Sequence, residues 1–214
     1  MPFEPDKFIA GLVDELKPIA PLRQGCGMAK AVLALLTGAV GMVALLGIRP
    51  DFLAGRPDEL ALLSAGLFLM LALASAWTVV NIALPQVGSR RDGWIWNIGM
   101  VAVLPLTALL LVVANIWRSA ESGLHDDGLT CMLNGLMWSV LTVGTLVLWL
   151  RRGAPARPSR AGLLIGVAGG SAGIFAVSLF CPHSDMIHIG IWHGFTVVLA
   201  GLIGRLAIPP VVRW

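Results

Sequence analysis

Charge is what this sequence has least of. Only 13% of its 214 residues are Asp, Glu, Lys or Arg, against about a quarter in an ordinary soluble domain. Hydrophobic residues make up 57% and the mean hydropathy is +0.84. Such a chain cannot cover a globule with polar groups, which excludes a typical water-soluble fold. Residues 1–29 carry charges and prolines throughout, so they lack the unbroken apolar core of a cleavable signal peptide. A glycine-rich phosphate loop and the HExxH zinc-protease pattern are also missing. The apolar segments hold almost no ionisable groups apart from histidines near the last one. That counts against a proton-coupled transporter, whose path is lined with buried acids or bases. A haem oxidoreductase would want imidazole pairs on facing helices, yet three of the four histidines share one short segment.

What is present is an all-α integral membrane pattern. Six apolar segments are each of the length needed to cross a bilayer core, about 20 residues: roughly Ala31–Ile48, Leu60–Leu84, Gly93–Trp117, Cys131–Leu150, Ala161–Phe180 and Ile187–Ala207. Pro105 should kink the third, where neighbouring helices can resatisfy the backbone. The fifth carries Gly162, Gly166, Gly169, Gly170 and Gly173, a spacing that lets helix backbones approach closely and predicts a central position. Trp94, Trp96, Trp117, Trp149 and Trp214 fall near segment ends, where interfacial aromatics anchor a bundle. The chain thus divides into an arm, 1–29, and a six-helix transmembrane domain, 30–214.

Lys and Arg set the expected orientation. With the N-terminus in the cytoplasm, Lys7, Lys17, Arg23, Lys30, Arg90, Arg91, Arg151, Arg152, Arg157, Arg160, Arg205 and Arg213 lie inside. Only Arg49, Arg56 and Arg118 lie outside. Twelve against three is a strong positive-inside bias and puts both termini in the cytoplasm. The basic balance, net charge +3 and pI near 9.1, is therefore topological and does not imply a nucleic-acid partner.

In the arm, Pro5 and Asp6 open a short helix in which Phe8, Ile9, Leu12, Val13 and Leu16 recur on one face. Pro18 ends it, and Pro18–Leu22 is an extended connector. So short a helix is marginal alone in water. Its apolar face needs either the lipid interface or a groove on another protein.

The densest chemistry runs from Cys181 to His193. In the expected orientation His125, Cys131, Cys181, His183, Asp185 and His188 all reach the outer side, and His193 lies deeper. Cys131 precedes Arg151 by 20 residues and Cys181 follows Arg160 by 21. At about 1.5 Å per residue, the two arms of this hairpin rise to the same height. A disulfide or a shared metal between Cys131 and Cys181 is thus sterically open, as is the plainer role of small apolar fillers. Thiolate with imidazole suits zinc, copper or similar ions. His188 and His193 are five apart, roughly 140° around an α-helix, which predicts that both cannot face one ion. His183, Asp185 and His188 are better placed to converge after the break at Pro182. His193 is costly in a membrane unless it is hydrogen-bonded or ligating.

Leu16-Lys17-Pro18-Ile19-Ala20-Pro21-Leu22, the six spans, Cys131 opening the fourth, Cys181-Pro182 and Trp192-His193 together resemble the NrsF-like family. These are inner-membrane negative regulators of extracytoplasmic-function (ECF) sigma factors. The resemblance implies that the arm holds a sigma factor at the bacterial inner membrane, away from RNA polymerase. It also implies that Cys131 and Cys181 are sensing residues for metal or oxidative stress outside, and that the chain is not an enzyme. Whether the loops Pro85–Asp92 and Arg151–Arg160 also touch the partner stays open. A small metal or solute transporter, with the histidine segment as its entry site, is the alternative. A haem- or quinone-dependent redox enzyme ranks third.

Overall fold

The computed structural model describes residues 5–14, 22–84, 99, 102, 127–153 and 155–212, all of them in helices or the turns between. Helix α1, Pro5–Asp14, is the arm's amphipathic segment. Ile9 and Val13 are more than half exposed. Leu16, the side chains of Phe8 and Leu12, and the connector at 18–21 lie outside the described residues.

Among the described residues, five helical stretches are long and apolar enough to span a membrane, where the sequence predicts six. Of the expected third, Gly93–Trp117 with Pro105, only residues 99 and 102 are described; Trp94, Trp96, Trp117, Trp214 and His125 lie outside the described residues. The first span is helix α2, Gln24–Leu46, which begins well before the expected Ala31; residues 24–30 contain no proline to stop it. Gly47 ends it with φ +88°, a backbone that favours glycine, and its N–H bonds back to the Val43 carbonyl at 2.9 Å. A short turn of helix, α3 (Pro50–Leu53), leads to α4, Glu59–Ile82. The Asp58 side chain caps α4 by accepting from the N–H groups of Leu60 and Ala61 at 3.0 Å each.

Helix α5 (Asp127–Leu150) and helix α6 (Pro158–Ser178) form the hairpin foreseen from the cysteine spacing. The last span is composite. It comprises α7 (Met186–His188), a π-helical turn over Ile189–His193 and α8 (Gly194–Ala207), followed by the short α9 (Pro209–Val212).

Helix α6 is the axis of the bundle, with 89% of its best apolar window buried against 28% for α2 and α5. Helices α4, α5 and α8 all pack on it. Glycine allows this. Gly166 lies against the Ala200 carbonyl of α8, and Gly173 against the Gly135 carbonyl of α5. A Cβ at either would collide with backbone, which cannot swing aside as a side chain can. The faces turned away from α6 are apolar and exposed, with Leu33, Val40 and Leu45 on α2 and Leu133, Met137 and Leu148 on α5. Those faces suit lipid rather than water, consistent with a membrane protein.

This packing predicts that Gly173→Ala lowers the melting temperature of the detergent-solubilised protein, at a cost of about 1–3 kcal/mol, the usual range for overpacking. Gly144→Ala, where nothing among the described residues lies within 4 Å of the new Cβ, should leave it unchanged within error.

Candidate functional site

Antiparallel packing of α5 on α6 brings Cys131, in the second turn of α5, level with Cys181, just past the end of α6. Both are buried and unbridged, with their sulfurs 3.4 Å apart. His188 Nε2 lies 3.5 Å from the Cys181 sulfur. His193 completes the group: one ligand atom from each of Cys131, Cys181, His188 and His193 falls within 4.8 Å of every other. All four side chains are buried.

The expectation that His188 and His193 point apart is overturned by the π turn. An α-helix would separate them around the axis, but i→i+5 bonding across Ile189–His193 returns residue 193 over residue 188. Their ring centroids are 5.2 Å apart and their planes nearly perpendicular. The turn is held from both sides. The Asp185 carboxylate accepts from the His188 N–H at 2.7 Å, capping the helix at its start. Trp192 packs over the first turn of α5 at Gly128, where any side chain would overlap the indole.

The other expected site residues are placed differently. Asp185, expected to converge with His183 and His188 on an ion, is a helix cap, since its carboxylate is committed to the His188 amide. His183 is partly exposed, stacks 4.9 Å from the His188 ring, and lies 3.4 Å from the Asp127 carboxylate. It stands at the rim between the cluster and the surface. Cys26 is exposed and remote from this end of the bundle.

The cluster fits a metal by two observations. Its donors are two thiols and two imidazoles, the composition of tetrahedral zinc-type sites. Among the described residues, neither ring nitrogen of His193 has a hydrogen-bond partner, nor has Nδ1 of His188. Leaving such groups unpaired in a dry interior costs about 1–3 kcal/mol each, a cost that a coordinated cation would remove. The same sulfurs could instead join as a disulfide after a small shift.

Arg49 was counted in the sequence only as one of three outer cations, yet it is 6% exposed and sits beside the cluster. Its guanidinium donates to both oxygens of Asp51 at 2.9 Å, to the Cys181 carbonyl at 2.8 Å and to Ser184 Oγ at 2.9 Å. Asp51 is held at a pKa of about 2 by this guanidinium and, less, by the Asp58 N–H. The one sequence signal was an Arg-Pro-Asp triplet directly after a span.

Gly169-Gly170-Ser171-Ala172-Gly173 matches the G-x-S-x-G pattern of hydrolase nucleophile elbows. Here Ser171 is fully buried within an unbroken helix, not at a strand-to-helix turn, so the pattern serves packing.

Comparison with known proteins identifies the family. The sequence pattern described as NrsF, negative regulator of sigma F, matches residues 12–214. The chain belongs to that family. It is 32% identical over 199 residues to the anti-sigma-F factor NrsF of Caulobacter vibrioides, covering 85% of this chain and 88% of that one. It is 24% identical over 210 residues to the probable anti-sigma-F factor NrsF of Azospira oryzae, covering 92% and 97%. No solved structure matches. The family is regulatory rather than catalytic, and the transporter alternative is not favoured.

The depressed Asp51 value gives a pH prediction. A carboxylate whose folded pKa lies below its ordinary 3.8 contributes fully above that value and loses its contribution as pH falls toward 2. The melting-temperature difference between the native chain and Asp51→Asn should therefore stay constant from pH 7 to about pH 5 and close as pH drops below about 4. Thermal melts across that range check it.

Proposed function

We infer that this chain is a membrane-embedded anti-sigma factor that sequesters an ECF sigma factor at the bacterial inner membrane, with both termini in the cytoplasm. It releases the factor when the cluster of Cys131, Cys181, His188 and His193 takes up a thiophilic ion such as zinc or copper. The observation that carries this reading is the cluster itself: four buried soft and borderline donors in mutual reach, with His193 unpaired among the described residues. Family membership supports the sigma-factor partner. Arg151, Arg152, Arg157 and Arg160 gather between α5 and α6, at the end of the bundle opposite the cysteines. The positive-inside rule then places the cluster outside and the arm inside.

The arm binds sigma through Phe8, Ile9, Leu12, Val13 and Leu16. Support comes from α1, where Ile9 and Val13 are more than half exposed. Sigma binding and ligand uptake oppose each other if the two favour different packings of α5 and α6, since a ligand shifts an equilibrium only by its differential affinity.

Oxidative stress is a second reading, favoured by the 3.4 Å between the sulfurs. An external two-electron oxidant would take two electrons and two protons from the thiols, leaving a Cys131–Cys181 disulfide and the reduced oxidant. His188, beside Cys181, is placed to accept one of those protons.

Cys131→Ser together with Cys181→Ser should insert normally, retain sigma and abolish release. A sigma-dependent reporter in cells challenged with zinc, copper or peroxide reads this; a normal response in the double mutant rejects the sensor. Separately, Ile9→Asp with Val13→Asp should release sigma constitutively and lower its co-purification at least about tenfold, equivalent to 1.4 kcal/mol or more. Undiminished co-purification removes the arm from the interface.

A further inference from the structure

Helix α2 is the span that follows the arm. It runs from Gln24, on the arm side, to Leu46, on the cysteine side, and Arg49 comes three residues later. A guanidinium this buried is uncommon and needs a full set of partners. Those of Arg49 come from two parts of the fold, the stretch 179–184 after α6 and the α3 turn. Its backbone N–H bonds to the Leu179 carbonyl at 3.0 Å, and its side chain holds the Cys181 carbonyl and Ser184. Its fork is matched to Asp51 in the α3 turn. The Asp51 carboxylate also accepts from the Asp58 N–H at 3.1 Å, and Asp58 caps α4.

Part of this is end-capping. Leu179 and Cys181 supply carbonyls where α6 stops, and such acceptors need donors. A cap requires only a donor, however, and a lysine ammonium could provide it. What capping leaves unexplained is the two-pronged pair with Asp51, which fixes the plane of the guanidinium. Through that pair the position of the Cys181 carbonyl is tied to the α2–α4 turn.

We propose that Arg49 is a positioning residue that transmits the state of the Cys181 loop to the outer end of α2, and through that helix to the arm. This rests on the sensor reading above. In this proposal, drawing the Cys181 sulfur toward an ion shifts the backbone after α6 and with it the Cys181 carbonyl that Arg49 holds. The guanidinium follows and, held flat by Asp51, displaces residues 47–53. Helix α2 responds as a rigid rod, because its hydrogen bonds are internal. Arg49 and Asp51 contribute no ligand atom to the cluster, so they can be altered without removing a donor.

The test uses the full-length chain in nanodiscs and follows amide hydrogen exchange over residues 43–53 and 179–188. The cluster is perturbed in two ways, by Zn2+ and by Cys131→Ser, so a signal does not depend on metal uptake. In the native background both perturbations should change exchange in both segments, by about threefold or more. In Asp51→Asn, and in Arg49→Lys, which keeps the charge and one donor, the change should persist at 179–188 and shrink to less than about 1.5-fold at 43–53. Zinc affinity, read by competition with a chromophoric chelator, should stay within about threefold of native, less than 1 kcal/mol. An undiminished change at 43–53 in both variants overturns the proposal. So does an absent change there in the native chain, or a loss of zinc affinity that tracks a falling melting temperature, the mark of capping alone. If coupling appears but sigma stays bound on zinc addition, the sensor reading has failed and the strut stands.

Discussion

A helical turn that closes over five residues rather than four decides the chemistry of this bundle. In an α-helix, His188 and His193 would look in different directions, one of them toward lipid or a neighbouring helix. The π turn brings both to the sulfurs of Cys131 and Cys181. A π turn adds a residue and weakens local bonding, so it persists only where the surroundings hold it. Here those surroundings are the Asp185 cap on one side and the Trp192 indole seated on Gly128 on the other. Neither Asp185 nor Trp192 contributes an atom to the cluster of four, so both belong to the site's support.

The cysteines depend on a different constraint, the close approach of α5 and α6. Their sulfurs meet because backbone lies on backbone at Gly173 and Gly135, and because each arm of the hairpin has nearly the same length. The site thus stands on two kinds of tightness. Helix-on-helix contact sets the height and separation of the thiols, and a local departure from α geometry aims the imidazoles. Arg49 then joins this assembly to the turn after α2 by hydrogen bonds from a single side chain.

Much of this was legible in the sequence, for physical reasons that differ by residue. Long uncharged runs announce membrane helices because lipid tolerates little else, and the described spans fall within a few residues of the predicted ones, apart from the earlier start of α2. The level meeting of Cys131 and Cys181 followed from counting residues along two arms. The central place of α6 followed from its glycines. The pairing of His188 with His193 was not legible, because arithmetic at 100° per residue assumes the very geometry that the chain abandons there. Asp185 looked like a ligand because its type permits it; its neighbour's amide claimed it first. Arg49 was hidden by its use as a topology marker, a count that ignores what a cation touches.

The burial of all four donors has a consequence for which ions could enter. Cations in water carry a hydration shell, and a cluster closed off by packed helices has no place for one. Magnesium and calcium, abundant outside cells, prefer oxygen ligands, and magnesium gives up its waters reluctantly. Copper and zinc recover what they lose through bonds to sulfur and nitrogen. If the cluster takes up an ion as proposed, dehydration at its threshold would act as a filter before any ligand is touched, turning the common ions back and letting the scarce ones through.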